Sequence, residues 1–143
     1  VIDLVRTKME DANIVLTTEF DRGLRLRGDA TQLQQVILNL LNNAIEVLLE
    51  RPGGPRQLTL RGRLSDEHLE LEVEDNGKGI DAEHRDDVFS LFKTSKSQGM
   101  GVGLWLSRSI VEAHGGRLTF QSEPGLRTAF TLRLPLMDPS ALG

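Results

Sequence analysis

The feature that most limits the fold of this chain is one long amphipathic helix set among strand-like segments. Apolar residues keep the helical period for about five turns from Leu33 to Leu48. Asp29, with Gln32 three residues later, has the pattern of an N-terminal capping box. A stretch rich in proline and glycine, 51–55, ends the pattern. A helix of this length with one apolar face needs a second layer to cover that face.

Segments in which apolar and polar residues alternate indicate that the second layer is a β-sheet. The predicted strands are 14–20, 24–27, 58–64, 69–73, 117–122 and 128–134, and the first four form two hairpins. A short helix before the first strand, a helical candidate at 82–92 and a helix at 104–114 closed by Gly115 and Gly116 are also predicted. Because helices and hairpins do not alternate as βαβ units, we predict an α+β fold. It is a two-layer α/β sandwich with a mixed, largely antiparallel sheet.

Composition excludes several classes of function. The formal charge of −4 without any run of Lys and Arg argues against nucleic-acid binding. The absence of cysteine excludes a disulfide framework, a thiol nucleophile and Cys-ligated zinc, and it fits a cytoplasmic domain. No apolar run approaches the roughly 20 residues of a membrane span, so we expect no direct membrane contact by this chain.

We expect one domain over 1–136 and a loose tail at 137–143. Helical periodicity begins directly at Val1, which suggests a piece of a longer protein, and membrane anchorage of that parent stays open.

Three polar residues on the long helix form a stripe that we expect to border the core without entering it. Asn39, Asn43 and Glu46 follow one another at helical spacing. They either decorate a solvated flank or supply carboxamide oxygens to a hard cation such as Mg²⁺, which prefers oxygen ligands.

A carboxylate and a hydroxyl occupy core-facing strand positions. Asp75 continues the inward-facing series of 69–73, and Thr128 begins the inward-facing series of the last strand. A buried charge requires a hydrogen-bond donor, so Asp75 either caps the turn that follows it or accepts from an exocyclic amine such as N6 of adenine. Gly77 and Gly79 let the backbone turn sharply and pass close beneath a flat ring. The two polar side chains are therefore expected to face one buried ligand.

Glycines alternate within 99–103, directly before the helix predicted to begin at Leu104. Exposed amides at a helix N-terminus form an anion site, although such a stretch also suits a flexible linker. Lys93 and Lys96 stand just upstream and add positive charge. We expect residues 81–98 to form a lid that closes over bound phosphates.

Five segments, taken in order, resemble those of the Bergerat-type (GHKL) ATPases, and their details are similar to the histidine-kinase branch. The fit covers nearly the whole chain. The segments are QQVILNLLNNAIEVLLE (34–50, N box), VEDNGKGI (73–80, G1 box), VFSLFKTSK (88–96, F box), GMGVGL (99–104, G2 box) and the closing segment 109–135. Glu46 and the GMGVGL spelling are most similar to kinases of the nitrogen-regulation and oxygen-sensing type.

The resemblance implies an ATP site in the Bergerat fold. Asn43 would coordinate Mg²⁺, Asp75 would accept from adenine N6, and 99–104 would wrap the phosphates. The implied site residues are Asn39, Asn43, Glu46, Asp75, Gly77, Gly79, Ile80, Phe92, Lys93, Thr94, Lys96, Gly99, Met100, Gly101, Val102, Gly103, Leu104 and Thr128. Asn39 and Lys96 are the expected catalytic residues. Gyrase-like and chaperone members have a general-base Glu where Asn39 stands. Because an amide cannot take a proton, the site favours transfer of the γ-phosphoryl group over hydrolysis.

Departures from the family pattern concern the lid and the end of the N box. The F box lacks the usual proline before its second aromatic residue and has Lys93 after Phe92, which puts the packing of the lid in doubt. Val47 and Leu48 stand where a base-stacking or basic residue is common.

The phospho-accepting histidine is the element that this sequence lacks. His68, His84 and His114 all lie outside a helical-hairpin context, so we expect them to be surface or capping residues. The implied partners are the dimerisation and phosphoacceptor domain of the same kinase and, downstream, the receiver domain of a response regulator. Two alternatives stay open: an anti-sigma-type serine kinase of the same superfamily, and a degenerate nucleotide-sensing module that binds partners.

Overall fold

Most helices and strands of the described residues lie where the two hydrophobic periods predict them. A computed structural model describes residues 2–20, 30–50, 54–64, 68–80, 83, 88 and 100–135. Within these residues the elements are α1 (Ile2–Asp11), β1 (Ile14–Phe20), α2 (Ala30–Leu49), β2 (Arg56–Leu64), β3 (His68–Asp75), α3 (Met100–Ala113), β4 (Arg117–Glu123) and β5 (Arg127–Pro135). None of the described helices is long and apolar enough to cross a membrane.

The strands form one mixed sheet in the order β1-β2-β3-β5-β4. β1 and β2 are parallel, joined through α2, whereas β2–β3, β3–β5 and β4–β5 are antiparallel. The predicted α+β sandwich with a largely antiparallel sheet is confirmed. Several predicted features lie outside the described residues: the strand 24–27, the capping residue Asp29 and the tail 137–143. The lid 81–98, which includes most of the helical candidate 82–92, also lies outside them except for residues 83 and 88.

The core fills the space between α2 and the inner face of the sheet. Alternation along β3 buries one side of the strand and leaves the other partly exposed. Burial of these apolar side chains is the main favourable term in folding. The most deeply buried apolar side chains include Leu40, Leu41, Leu48, Leu58, Val73 and Leu132.

Helix α3 begins four residues earlier than its predicted start at Leu104. Its first turn includes Gly101 and Gly103, because α3 runs from Met100 to Ala113. A glycine costs a helix only about 1 kcal/mol, and packing of α3 against α2 offsets such a cost. The end of α3 is as predicted: Gly115 has φ +78° and Gly116 N donates to Val111 O at 2.9 Å.

Two of the histidines are where surface or capping residues were expected. His114 Nδ1 lies 2.8 Å from Ile110 O at the end of α3. His68 Nδ1 lies 3.4 Å from an Arg133 guanidinium nitrogen at the sheet surface. His84 lies outside the described residues.

Ion pairs cover the outer face of the sheet. Arg61 on β2 bonds Glu19 at 2.7 Å, Glu72 at 2.6 Å and Glu74 at 2.8 Å, and Arg127 bonds Glu74 at 2.6 Å. Partial burial raises the pKa of Glu74, but its hydrogen bonds from the two guanidinium groups outweigh that effect and hold the pKa below its ordinary value of 4.5. The charged form of Glu74 therefore stabilises the sheet.

This network predicts a pH dependence of folding stability. A carboxylate with a lowered folded-state pKa contributes stability above its unfolded pKa and loses it as the pH falls through the folded pKa. Below about pH 4.5 the free energy of unfolding of the wild type should thus fall more steeply than that of Glu74→Gln. Urea denaturation between about pH 6 and pH 3 measures both slopes. Glu70→Gln, at a β3 position without an ion pair among the described residues, is the control and should keep the wild-type slope. Equal slopes for wild type and Glu74→Gln would contradict this account.

Candidate nucleotide-binding site

Asp75 and Thr128 lie directly opposite each other on the inner face of the sheet, as their strand positions predict. They are register partners between β3 and β5, with exposed fractions of 2% and 4%. Gly77 N donates to Asp75 Oδ1 at 2.9 Å, so Asp75 does cap the turn after its strand. A carboxylate has about four lone-pair sites on two oxygens, and this amide uses one of them. The turn contact is therefore compatible with a ligand contact.

The glycines after β3 are required by close packing. Gly79 has φ +76°, and a Cβ built there would lie 2.5 Å from Glu123 O in the β4–β5 turn. A Cβ on Gly77 would lie 2.5 Å from Val47 Cγ1 of α2. Because any side chain at these positions would collide with α2 or the β4–β5 turn, glycine is needed at both. The structure thus gives a reason for the two glycines that the sequence did not: they bring α2, β3 and the β4–β5 turn together.

Two residues that sequence reasoning missed hold this region in place. Ile80 N donates to Ser122 Oγ at 2.7 Å, which ties the segment after β3 to β4. Asn76 Oδ1 accepts from Gln57 N at 2.8 Å while its Nδ2 donates to Pro55 O at 2.9 Å, which ties the same segment to the start of β2. Strand alternation already puts Ser122 on the inner face, so a polar residue there was a usable signal. The role of Asn76 depends on strand pairing that a single sequence does not specify.

One residue of the polar stripe on α2, Asn43, lies in the core, contrary to our prediction. Asn43 has an exposed fraction of 7%, because α2 is packed against the sheet, α1 and α3 together. Its Oδ1 atom is buried without a hydrogen-bond partner in the part of the chain that the structure describes. Leaving a buried acceptor unpaired costs about 1–3 kcal/mol, so this oxygen is a candidate ligand atom.

The other two residues of the stripe have different surroundings. Asn39 is half-buried, and its Nδ2 donates to Oγ of the fully buried Ser107 at 3.2 Å. This bond links α2 to α3 and orients the amide. Glu46 lines an open cavity of about 630 Å³ between α1 and α2 with Lys8 and Asp11, so its contact with nucleotide stays a prediction.

The phosphate end of the expected site is described only in part. Phe92, Lys93, Thr94, Lys96 and Gly99 lie outside the described residues. The backbone of 100–103 forms the first turn of α3, Leu104 is buried, and Ile80 is packed against the core. The described residues thus provide the base end, the α2 amides and the start of α3.

Comparison with known proteins defines the class of this chain. Residues 28–138 match the family of histidine kinase-, DNA gyrase B- and HSP90-like ATPases. Since the match covers more than half of the chain, the protein belongs to this ATPase family. The identification from the sequence motifs is confirmed.

Similar proteins place it among the catalytic domains of sensor histidine kinases. The chain is 38% identical to the sensor protein FixL of Bradyrhizobium diazoefficiens over 90% of its own length and 25% of that protein. It is 34% identical to the sensory histidine kinase/phosphatase NtrB of Klebsiella oxytoca, over 95% and 41% of the two chains. The catalytic domain of histidine kinase ThkA superposes with a TM-score of 0.82 at 30% identity, covering 94% of this chain and 86% of that domain. The chain therefore spans less than half of FixL and NtrB but nearly the whole of a solved catalytic domain.

Proposed function

We propose that this chain binds ATP with Mg²⁺ and donates the γ-phosphoryl group to a histidine on the dimerisation domain of the same kinase. The observation that carries the proposal is the buried Oδ1 of Asn43, on the helix that matches the N box, which has no hydrogen-bond partner among the described residues. Leaving such an atom unpaired lowers stability, and a bound ion would supply the missing partner.

The residues present fit a magnesium ion bound together with nucleotide. A carboxamide oxygen suits this hard cation, which keeps several waters and takes its remaining ligands from phosphates. Among the described residues there is no cluster of three acidic or histidine side chains, so the ion would depend on Asn43 and the nucleotide together. When bound, Mg²⁺ neutralises negative charge on the phosphates.

The base end suits adenine. Asp75 is a buried acceptor opposite Thr128, and the segment after Asp75 is held by Gly77, Gly79 and Ser122. A rigid, buried carboxylate acceptor beside a hydroxyl favours a ligand with an exocyclic amine. Ile80, at the end of that segment, lies beside this pair through its bond to Ser122.

The α2 amides favour phosphoryl transfer over hydrolysis. Asn39 donates to Ser107 through its amide nitrogen, and an amide is not basic enough to activate water. Lys93, Lys96 and the lid 81–98 are proposed to hold the phosphates from the other side.

The proposed partners follow from the relatives. A structure of histidine kinase ThkA in complex with the response regulator protein TrrA has been solved, and it superposes on this chain with a TM-score of 0.77 at 25% identity. We extend that pairing to this chain: a dimerisation and phosphoacceptor domain as acceptor, and a response regulator receiver domain downstream. The proposed location is the cytoplasm, where ATP and response regulators are available.

Replacing Asn43 with leucine tests the proposal through two opposite effects. Because Leu removes an unpaired buried acceptor, the free energy of unfolding without ligand should stay the same or rise. ATP affinity in Mg²⁺ should fall at least about tenfold, to the level measured in EDTA. Isothermal titration with and without Mg²⁺, together with urea denaturation, measures both quantities.

Asn42→Ala is the matched control, since the neighbouring amide bonds Lys8 at the surface at 3.3 Å. It should leave the Mg²⁺ dependence unchanged. If Asn43→Leu is strongly destabilised and still binds ATP in a Mg²⁺-dependent way, Asn43 is structural and the proposed ligand is wrong.

A further inference from the structure

Ser122 lies at the centre of the hydrogen bonds that join β4 and β5 to the segment after β3. Its Oγ is 2.7 Å from Ile80 N, 3.0 Å from Arg127 O and 3.1 Å from Thr128 Oγ1. Ser122 and Thr128 are also register partners between the two strands. Ser122 is half-buried, beside a threonine that is almost fully buried.

The three contacts fix the direction of each hydrogen bond. A serine hydroxyl has one proton and two acceptor lone pairs. The Ile80 amide can only donate and the Arg127 carbonyl can only accept, so Ser122 gives its proton to Arg127 and one lone pair to Ile80. Because that proton is given to Arg127, Thr128 is the donor in the contact between Ser122 and Thr128. This is the one arrangement that satisfies all three contacts.

The hydrogen bond that Thr128 donates to Ser122 uses the only hydroxyl proton of Thr128. The Thr128 oxygen can therefore offer a ligand only lone pairs. Asp75, opposite Thr128, is also an acceptor. Two acceptors facing each other match the two protons of an exocyclic amine, such as N6 of adenine. A carbonyl oxygen in the same place would face an acceptor on each side, with no proton to form a hydrogen bond. A specific site rejects the wrong ligand by leaving polar groups unpaired in this way.

We infer that Ser122 is a positioning residue that sets selectivity for a 6-amino purine by holding the Thr128 hydroxyl as an acceptor. The inference rests on the proposed function, since it requires that Thr128 face the base of bound nucleotide. It adds Ser122 to the residues that set base selectivity, through its effect on Thr128. Without the Ser122 hydroxyl, Thr128 is free to turn its proton toward the ligand, and a purine with a 6-carbonyl group then gains a donor.

The test compares ATP with inosine triphosphate, in which a carbonyl replaces the amine. Isothermal titration of the 143-residue chain in Mg²⁺ gives the ratio of the two dissociation constants for each variant. We expect the wild type to prefer ATP at least about tenfold, and Ser122→Ala to reduce that preference about fivefold, the size of one hydrogen bond. Ser122→Thr keeps a hydroxyl and should keep the preference. Thr119→Ala removes an exposed hydroxyl of the same strand and should leave it unchanged.

Thr128→Val provides a second route if Ser122→Ala does not fold. Valine has the shape of threonine without the hydroxyl, so this variant should also lose preference for ATP. In the double variant Ser122→Ala, Thr128→Val, the preference should be no lower than in Thr128→Val alone, because Ser122 acts through Thr128.

If Ser122 only supports the fold, Ser122→Ala would weaken the binding of both nucleotides equally and leave the ratio of dissociation constants unchanged. That result would overturn the inference while the proposed function stands. An unchanged ratio in Thr128→Val would overturn it as well. If the wild type binds neither nucleotide, the proposed function fails and the inference fails with it.

Discussion

Asp75→Asn should weaken ATP binding by at least about 100-fold while the domain stays folded. Gly77 N donates to Asp75 Oδ1, so an asparagine would keep its oxygen on that amide. Its NH₂ group would then replace the second carboxylate oxygen. A donor would face the N6 amine of adenine where an acceptor had been, in a site where Asp75 is 2% exposed and water does not compensate easily.

Isothermal titration with ATP and Mg²⁺ measures this loss, and near-ultraviolet circular dichroism reports whether the fold is kept. Glu70→Gln removes a carboxylate from the same strand on its outer face and should bind like the wild type. Affinity within about threefold of the wild type for Asp75→Asn would remove Asp75 from the base-binding role and leave it as the cap of its turn.

Gly79→Ala should abolish ATP binding and lower the free energy of unfolding by about 3 kcal/mol or more. The new Cβ would lie 2.5 Å from Glu123 O and 2.9 Å from Pro124 Cα, and both atoms belong to backbone that cannot rotate away. Relief of this collision must move the segment after β3 away from the β4–β5 turn. That movement would break the bond from Gly125 N to Lys78 O, which is 2.5 Å long.

Gly125→Ala separates this collision from backbone strain. Gly125 also has a left-handed φ, +81°, but a Cβ there meets no atom within 4 Å. It should cost only the left-handed strain, about 1–2 kcal/mol, and should leave ATP binding close to that of the wild type. Urea denaturation measures the free energy of unfolding of both variants, and titration measures their ATP affinity. Equal losses of stability and affinity in Gly79→Ala and Gly125→Ala would show that packing against the turn does not hold the site.

The sequence predicted well those parts of the fold that follow from local periodicity. The helical period identified α2, and alternation identified β2, β3, β4 and β5, because each pattern follows from which side of an element is buried. The same reasoning placed Asp75 and Thr128 on one face, and the register pairs them directly. Motif resemblance then gave the class of protein.

The parts that failed depend on packing between elements distant in sequence. The burial of Asn43 arises because α2 is covered by three neighbours, whereas periodicity assumes one buried face and one solvated face. The early start of α3 reflects packing against α2 that offsets the low helix propensity of glycine. Ser122 acquires Arg127 and Thr128 as partners only through the β4–β5 register, which a single sequence does not fix.

Transfer of phosphate in trans is the most direct test of the central claim. The chain would be incubated with Mg²⁺ and γ-labelled ATP, alone and together with the dimerisation and phosphoacceptor domain of its own kinase. We expect acid-labile, base-stable label on the added domain, lost when its acceptor histidine is replaced by glutamine, and no label on the chain alone. Label on His68, His84 or His114 of the chain, acid-stable label on serine, or no transfer to the added domain in the presence of bound ATP would contradict the account.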